Sequence, residues 1–566
     1  MKNNWFKKTL AISLTAAMAL GTLAGCGGGS DNGAADGSQA GSTAASTATE
    51  TKSTGDKHLN FGCYVYSTDY DPAAYQNAAW DAMRHGVAEC LFKFNDDLTV
   101  ANNLCDDYTV SDDHKTWTFH IVDGVKFSNG DACDATAVAN SLNRLYNVCA
   151  TDAKSSTPET YLAMESITAN ADDNTVTIVT KEAYADLPSI LCFPFYEIID
   201  VQGDLTDAEH DYSADPTLVI GTGPYVIKSK DQTTKNSELV KNENYWNGEV
   251  PYDSVSILFI EDDSTKAMSL QSGDIDLTEN ITTAADLNSL KENDDYYVSQ
   301  TPGMRTGFAY VNFNGVLKND ALRQAVMMAV DGQTQCDVTV NGMYTYGYAV
   351  LPSTLSYDYS ALNYKYGYDV EGAKKLLDDA GIVDTDGDGV RELDGQNINL
   401  NYITYVNRCL ADFAQAIQIS LSEIGIGCTI NNVDSDTEWN LMQAGEYDLC
   451  DSNWTTVGTG EPSVFLKNWY GGDHGSEFYS NGGGTNYCYY ENDEFDGYYD
   501  QYMASTDTAE RADLVIKMEQ VLLDDAAVLV HGYYNSSMIS NKSKVAGADI
   551  STVDYYWLKT DIKPAS

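Results

Sequence analysis

The chain has 566 residues, 43% of them hydrophobic, enough to build about two to four folded lobes with substantial cores. It contains 84 acidic and 33 basic residues, so its formal net charge at pH 7 is −51. A surface this acidic repels phosphate backbones and anionic membranes, which excludes nucleic acid as an expected partner. The 39 tyrosines and 8 tryptophans provide rings suited to cores or to the walls of a cleft.

The first 25 residues are typical of a secretory leader. Lys2, Lys7 and Lys8 form a basic region, and the apolar run that follows, TLAISLTAAMALGTLAG, is too short for a comfortable membrane span. The run ends in LAGC, which resembles the lipobox of bacterial lipoproteins. That resemblance implies cleavage before Cys26 and lipidation of Cys26. An ordinary secretory signal with an incidental cysteine is the alternative.

Residues 26–56 are predicted to be a flexible tether that begins at the lipidated cysteine. Gly, Ser, Ala and Thr dominate the segment, and a random coil of this length spans roughly 30 Å root-mean-square. We therefore expect a folded body held at the outer face of the cell membrane by its N-terminal lipid alone.

Cysteine usage does not indicate a disulfide framework. Eleven cysteines remain beyond Cys26, no CxxC pair occurs, and an odd number leaves at least one thiol free. We expect most of them to be buried as small hydrophobic residues, and their pairing stays open.

The first clear elements lie in KTWTFHIVDGVKFSNGDACDATAVANSLNRL, residues 115–145. Alternating apolar residues predict a strand, and Asp123-Gly124 predicts a tight turn into a second one. Asp134 is the expected N-cap of a helix with one apolar stripe. Arg144 lies off that stripe, so we expect it to be solvated or to face a space between lobes.

Further along, VIGTGPYVIKSK, PYDSVSILFI, RTGFAYVNFN and CTINNV predict strands. NDALRQAVMMAV, DVEGAKKLLDDAG, LADFAQAIQISLSEIG and AERADLVIKMEQVLL predict helices, the last behind a capping box at Asp507 and Glu510. Alternating strands and helices favour α/β lobes with mixed sheets.

The order of these segments resembles family 5 of the bacterial extracellular solute-binding proteins, the peptide- and nickel-binding group. The resemblance rests on TWTFHIVDGVKFSNGD, GTGPYVIK, KNENYWNG, VNFNGVLKNDALRQAVMMAVD, YDVEGAKKLLDDAG, AQAIQISLSEIGI and PSVFLKNW, and covers nearly the whole chain beyond the tether. It implies a type II periplasmic-binding-protein clamshell with an extra small lobe. The implied boundaries are lobe I at 57–88, 216–310 and 530–566, lobe II at 89–215, and lobe III at 311–529.

The same resemblance implies a monomer that captures a small peptide or a nickel or other metal chelate between its lobes. A membrane permease and its ATPase subunits then import the ligand. The chain itself lacks a GxxxxGK[ST] phosphate loop, and we expect neither catalysis nor a required cofactor.

Arginine is scarce, and a cleft arginine could hold a ligand carboxylate through two hydrogen bonds. Arg144 is the first candidate, since the resemblance implies that an arginine on this helix grips a carboxylate in metal-chelate members. Arg84, Arg408 and Arg305 are the others. The alternative for each is an ordinary surface salt bridge of little energetic weight.

Trp454, Asn486 and Tyr487 are further ligand candidates by resemblance. Peptide-binding members place an Asp shortly after the tryptophan to hold the peptide ammonium, but TTVGTG follows Trp454 here. That difference favours the metal-chelate branch over free peptides. Core packing for Trp454 and a turn for Asn486 are the alternatives.

The loop DTDGDGVREL places Asp384, Asp386 and Asp388 at the alternating positions of a calcium loop. Gly395 stands where such a loop carries its bidentate Glu. An acidic surface turn is therefore the preferred interpretation, with a structural calcium site as the alternative. The seven histidines show no ligand spacing.

Two other functions use the same composition. A secreted hydrolase resembling a glycosidase would exploit the abundant acids and aromatics, although no HExxH or GxSxG motif occurs. A surface adhesin or receptor could reuse the same fold without a small ligand.

Overall fold

A computed structural model describes residues 57–151, 157–471 and 485–566. The predicted leader, Cys26 and the tether lie outside these residues. Strands and helices alternate along the described chain, which confirms the predicted α/β class with mixed sheets. No helix within these ranges has the length and apolarity needed to cross a membrane.

The strands range from two-residue bridges to two strands of 14 and 16 residues. In chain order they are β1 (His58–Cys63), β2 (Phe92–Phe94), β3 (Val100–Asn102), β4 (Cys105–Val110), β5 (Thr116–Ile121), β6 (Met164–Asn170), β7 (Thr175–Thr180), β8 (Tyr225–Lys230), β9 (Ser237–Lys241), β10 (Ser254–Phe259), β11 (Leu277–Glu279), β12 (Tyr296–Val311), β13 (Tyr344–Thr345), β14 (Glu392–Leu393), β15 (Gln396–Asn397), β16 (Asn399–Tyr405), β17 (Gly427–Val433), β18 (Leu449–Thr455), β19 (Val528–Asn541), β20 (Val545–Ala546) and β21 (Lys563–Pro564).

The helices are mostly short, and most have a polar N-cap. In chain order they are α1 (Gln76–Arg84), α2 (Ala135–Cys149), α3 (Pro158–Tyr161), α4 (Leu187–Ile190), α5 (Asp263–Ser272), α6 (Ala284–Lys291), α7 (Asp320–Ala329), α8 (Gly332–Thr334), α9 (Val370–Asp379), α10 (Leu410–Glu423), α11 (Ser435–Ala444), α12 (Ser463–Leu466), α13 (Asp493–Ala504) and α14 (Thr508–Asp524).

One large sheet runs through the body in the order β17-β16-β18-β12-β19-β11-β1-β10-β9-β8, with β13 also paired to β19. At its centre β12 and β19 pair antiparallel from Tyr296 opposite Asn541 to Tyr310 opposite Val528. The register shifts between Pro302 and Thr306 and again between Gly307 and Phe308. Such irregularities twist a ladder and turn side chains to new directions. These two strands therefore connect both halves of the sheet.

A second sheet, in the order β4-β5-β7-β6, is covered by α2. The first predicted strand, the turn and the helix of residues 115–145 are present, and the Asp134 carboxylate accepts the Ala137 N–H as predicted. The predicted second strand is not formed, and residues 125–127 contribute only an isolated bridge between Lys126 and Ala132. Arg144 was expected to be solvated or to face a space between lobes. It is buried rather than solvated, although it lies off the apolar stripe.

The later predicted elements also form. DVEGAKKLLDDAG contains α9, LADFAQAIQISLSEIG contains α10, and CTINNV lies in β17. Asp507 caps α14 by accepting the N–H groups of Ala509 and Glu510, while the Glu510 carboxylate accepts from Ser505 instead of closing the capping box. The lobe boundaries implied by the resemblance stay a prediction.

The eleven cysteines of the described residues are free thiols, and most are buried. Burial raises the pKa of thiols such as Cys63 and Cys450 well above the ordinary value, so they remain protonated. They pack as small hydrophobic residues, in agreement with the sequence.

Glu519 on α14 is a buried carboxylate with a structural task. Its two oxygens accept the backbone N–H groups of Val350 and Leu351 at 3.0 and 2.8 Å, which ties a loop to the helix. Burial raises the pKa of Glu519 from 4.5 to about 7, although the two hydrogen bonds act in the opposite direction.

The raised pKa of Glu519 predicts that the free energy of unfolding depends on pH. The folded state favours the neutral acid, so the stabilisation is complete below pH 4.5 and is lost as the pH rises through about 7. The loss amounts to about 3 kcal/mol. We expect Glu519→Gln to remove this pH dependence. The measurement is the difference in unfolding free energy from wild type in urea titrations between pH 4.5 and 8.

The matched control is Glu371→Gln, which changes an exposed glutamate on α9 and should keep the wild-type pH dependence. A Glu519→Gln protein whose stability follows the wild-type pH curve would contradict the prediction.

Candidate binding cleft

A cavity of about 370 Å³ opens beside the central strands. It lies where α1, β12 and β18 meet the segment that follows β18. Aromatic and polar residues line its walls in equal number, seven of each. The aromatic lining residues are Trp80, Tyr161, Phe193, Trp439, Trp454, Phe465 and Tyr555.

The aromatic walls form connected layers. On one side, the ring of Trp454 lies 6.5 Å from that of Trp439 and 5.9 Å from that of Phe465. On the other, Tyr555 lies 6.4 Å from Trp80 and packs edge-on against Phe193 at 6.2 Å. Such walls offer apolar faces that suit planar or compact ligands.

Arg305 on β12 brings a positive charge to the cavity. It is 7% exposed, its Nη1 donates to the Asn453 carbonyl at 3.4 Å, and its Nε lies 3.7 Å from an Asp554 carboxylate oxygen. The guanidinium carbon lies 5.7 Å from the ring centre of Trp80. Burial, with the neighbouring charges of Arg408 and Arg84, lowers the pKa of Arg305, while the charge of Asp554 acts in the opposite direction.

Arg84 ends α1, where a positive charge suits the helix dipole. Its Nε donates to the Asp554 carbonyl at 2.8 Å and its Nη2 to the Asp554 carboxylate at 2.7 Å. Three rings surround the guanidinium, those of Trp557, Tyr66 and Trp80 at 4.4, 4.9 and 5.1 Å. Burial opposes the charge of Asp554, but Arg84 and Arg305 outweigh it and hold the pKa of Asp554 below its usual value.

Arg408 approaches the same place from the loop between β16 and α10. Its Nη2 donates to the hydroxyl of Tyr66 at 3.2 Å, and its guanidinium carbon lies 5.7 Å from the ring centre of Tyr534. Arg408 and Cys409 both have positive φ angles, 46° and 61°, which non-glycine residues rarely adopt. The loop holds Arg408 in a strained backbone conformation of the kind that gathers at functional sites.

We call Arg84, Arg305 and Arg408 the arginine cluster. All three were predicted from the sequence as ligand residues, and the fold brings them together although they come from α1, β12 and the loop before α10. Trp454, also predicted, lies in the cavity wall. A ligand role for these four residues stays a prediction.

Arg144 is placed elsewhere. Its Nη1 and Nη2 donate to both carboxylate oxygens of Asp71 at 2.8 and 2.9 Å, and its Nε and Nη2 donate to Asp207. Its guanidinium stacks 4.0 Å from the ring centre of Tyr212, and the residue is 2% exposed. Arg144 therefore joins parts of the fold and is not a residue that the structure brings to the cavity.

Asn486 and Tyr487 have separate positions. Asn486 is buried, its Nδ2 donates to the Tyr490 carbonyl at 2.7 Å, and its Oδ1 accepts the Tyr490 N–H, so it closes a turn. Tyr487 packs edge-on against Trp439 at 5.5 Å, next to the cavity wall. The surroundings of Asn486 are thus those of a turn residue, and Tyr487 contacts Trp439 of the cavity wall. A ligand role for either residue stays a prediction.

Several residues in and beside the cavity were not predicted from the sequence. Trp80 lies four positions before Arg84, on the same side of α1, and that spacing was readable. Asp554 and Tyr555 lie near the end of the chain, and no pattern in the sequence marks the Asp554 carboxylate as the partner of Arg84. Asn453 directly precedes Trp454 on β18.

The Asp384, Asp386 and Asp388 carboxylates come within 4.8 Å of one another on an exposed loop. The Asp384 carboxylate accepts the N–H groups of Gly387 and Gly389, as acidic turns commonly do. A calcium ion at these three residues stays a prediction, and so does the expectation that no cofactor is required.

The mixed sheet with its central strand pair and the aromatic cavity beside them define the class of extracellular solute-binding proteins. The chain belongs to family 5 of the bacterial extracellular solute-binding proteins, because the profile of the middle region of that family matches residues 99–477. The resemblance stated from the sequence is confirmed.

Two curated relatives show which kinds of protein in this family have sequences similar to this chain. The nickel-binding protein NikA of Staphylococcus aureus is 27% identical over 484 residues, covering 83% of this chain and 88% of the relative. The probable D,D-dipeptide-binding periplasmic protein DdpA of Escherichia coli is 25% identical over 448 residues, covering 78% and 81%.

A solved structure confirms the predicted fold. NikA from Brucella suis, in complex with Fe(III)-EDTA, matches with a TM-score of 0.77 at 21% identity, over 90% of this chain and all of that chain. The fold class predicted from the sequence is therefore correct.

The surroundings of Arg144 predict a large stability effect and no ligand effect. Arg144→Met leaves Asp71 buried without its bidentate partner, so we expect a loss of about 3–5 kcal/mol in unfolding free energy. Urea titration measures the loss, and calorimetry at a temperature where the variant is folded measures ligand affinity.

The control is Lys375→Met, which removes an exposed cation from the surface of α9 and should leave stability nearly unchanged. A folded Arg144→Met protein with wild-type stability and lost ligand binding would mean that Arg144 serves the ligand.

Proposed function

We propose that this protein is the lipid-anchored substrate-binding component of an ABC importer. It captures a small peptide or a metal chelate in the aromatic cavity and delivers it to a membrane permease, whose ATPase subunits supply the energy. Family membership supports the binding role, and the cavity with Arg305 in its wall is the observation that carries the ligand assignment.

Capture requires two walls that can close. β12 and β19 run through both halves of the central sheet, and the ladder between them is irregular near Arg305. Because the cavity is lined from α1, β12 and β18 together, a ligand that touches all three favours the closed arrangement. Binding energy then shifts the open–closed equilibrium, and the permease recognises the closed form.

The charge pattern favours a metal chelate over a free peptide. A free peptide needs a carboxylate for its ammonium, and Glu461 is the carboxylate among the described residues that line the cavity. Glu461 is held by the Arg511 guanidinium and the Tyr502 hydroxyl. A chelate presents carboxylates instead, which Arg305 in the cavity wall can bind.

The location at the outer face of the membrane follows from the LAGC motif. We expect Cys26→Ser to release the protein into the medium, because the lipid would be its only attachment. Detergent partitioning and intact mass of the mature wild-type protein measure the lipid. Wild-type protein that starts at another residue and partitions into water would contradict the anchor.

The binding function is tested on the body, residues 57–566, by calorimetry and small-angle scattering. The panel contains di- to pentapeptides, nickel, and nickel with histidine. We expect at least one of these solutes to bind and to reduce the radius of gyration, and Arg305→Met to weaken that binding at least about tenfold. Arg391→Met is the control, since Arg391 bonds the carbonyls of Ile382 and Ile424 instead.

Three outcomes would contradict the proposal. Scattering that stays unchanged with every solute would remove the capture role. Turnover of a chromogenic glycoside or peptide would support the secreted hydrolase. Binding to a surface partner with no small ligand would support the adhesin or receptor.

A further inference from the structure

A short segment joins the two halves of the central sheet at a place away from the β12–β19 pair. One half consists of β17, β16, β18 and β12, and the other runs from β19 through β11 and β1 to β8. Residues 406–409, which we call the strap, connect β16 to α10 and contact the second half at two points. Four strands separate β16 from β1 in the sheet, so neighbouring strands do not account for these contacts.

Arg408 and Cys409 make the two contacts of the strap. Nη2 of Arg408 donates to the hydroxyl of Tyr66, which follows β1, at 3.2 Å. The Cys409 thiol donates to the carbonyl of Thr282, between β11 and α6, at 3.4 Å. Burial raises the pKa of this thiol to about 12, so it stays protonated and can donate. Each contact is one hydrogen bond, so both can break while the two halves stay folded.

Both acceptors are held in place by their own half of the sheet. The N–H of Ser67, next to Tyr66, donates to the buried carboxylate of Asp81 on α1 at 2.8 Å. The N–H of Thr282 donates to the Asp263 carboxylate at the start of α5, also at 2.8 Å. The second half therefore offers two fixed acceptors, and a donor that meets them loses little further conformational freedom.

The strap itself is held in an unfavourable backbone conformation. Arg408 and Cys409 have φ angles of 46° and 61°, and two consecutive left-handed residues that are not glycine are rare. The Arg408 carbonyl accepts the Tyr344 hydroxyl at 2.8 Å, and that hydroxyl accepts the side-chain amide of Asn453 on β18. Such strain persists only where the surroundings hold it, and the two contacts with the second half are among those surroundings.

We propose that the strap is a latch that holds the cleft closed, with the Tyr66 hydroxyl and the Thr282 carbonyl as its catch. The latch forms when the two halves approach and breaks when they separate, so it adds to the closing energy that a ligand supplies. It thereby slows the departure of a captured ligand and does not select which ligand is captured. This role rests on the proposed function, because it concerns the same cleft.

Alkylation of Cys409 measures the latch in the mature chain without any ligand. Opening frees the Cys409 thiol, so its rate of reaction with N-ethylmaleimide, followed by peptide mass spectrometry, reports the open fraction. We expect Tyr66→Phe, which removes the accepting hydroxyl, to raise this rate at least about threefold. Cys428 on β17 is the internal control, because burial raises its pKa to the same value of about 12. Tyr498→Phe, which removes a hydroxyl bonded to Glu494 within α13, should leave both rates at their wild-type values.

Ligand kinetics separate a latch from a contact that merely supports the fold. The solutes are trialanine and nickel with histidine, and stopped-flow tryptophan fluorescence follows their binding. Tyr66→Phe should raise the dissociation rate constant of a bound solute at least about threefold and change the association rate constant less than about twofold. Thermal melting confirms that each variant is folded.

Equal alkylation rates of Cys409 in the wild type and in Tyr66→Phe would overturn the latch. A variant that releases a bound solute at the wild-type rate would overturn it as well, and the importer function would remain. If Tyr66→Phe accelerates the alkylation of Cys409 while no peptide or nickel species binds, the proposed function fails and the latch between the halves stands.

Discussion

The pairing of β12 with β19 is the constraint on which the cleft depends. These strands join the two halves of the central sheet, and the break in their register falls between Pro302 and Thr306. Arg305 lies in that break, directly opposite Thr455 on β18. A regular ladder would turn successive side chains to opposite faces, whereas a bulge can turn a side chain toward a cleft. The irregular register and the position of Arg305 are thus parts of one arrangement.

The second constraint is electrostatic. The chain carries a net charge of −51, yet three guanidinium groups gather around one aspartate beside the cavity. At physiological salt the field of the distant acids is screened within about 8 Å, while the field within the cleft is not. The acidic surface disfavours contact with anionic surfaces, whereas the field inside the cleft is set by the few charges close to it. Global charge therefore says little about what this site binds.

Much of the secondary structure could be predicted from the sequence because the patterns that indicate it are local. The strand of residues 116–121, the cap at Asp134 and the helix over 370–379 each depend on neighbours within a few positions. The burial of Arg144 could not be predicted, because its partners Asp71 and Asp207 come from remote segments that the fold brings to α2. Burial of an arginine depends on such partners, and a helical pattern shows only which side it faces.

The same reasoning explains which site residues were found. Arg84, Arg305 and Arg408 were candidates because arginine is scarce in this chain. Their common position and their shared aspartate could not be predicted, because Asp554 lies in the last segment of the chain and only the fold places it beside α1. Asp554 is the residue that these three candidates share, since it accepts hydrogen bonds from Arg84, lies 3.7 Å from Nε of Arg305 and raises the pKa of Arg408 through its charge. Glu461 also lines the cavity, and its carboxylate is paired with the guanidinium of Arg511. Arg84 and Glu461 are thus already paired within the fold.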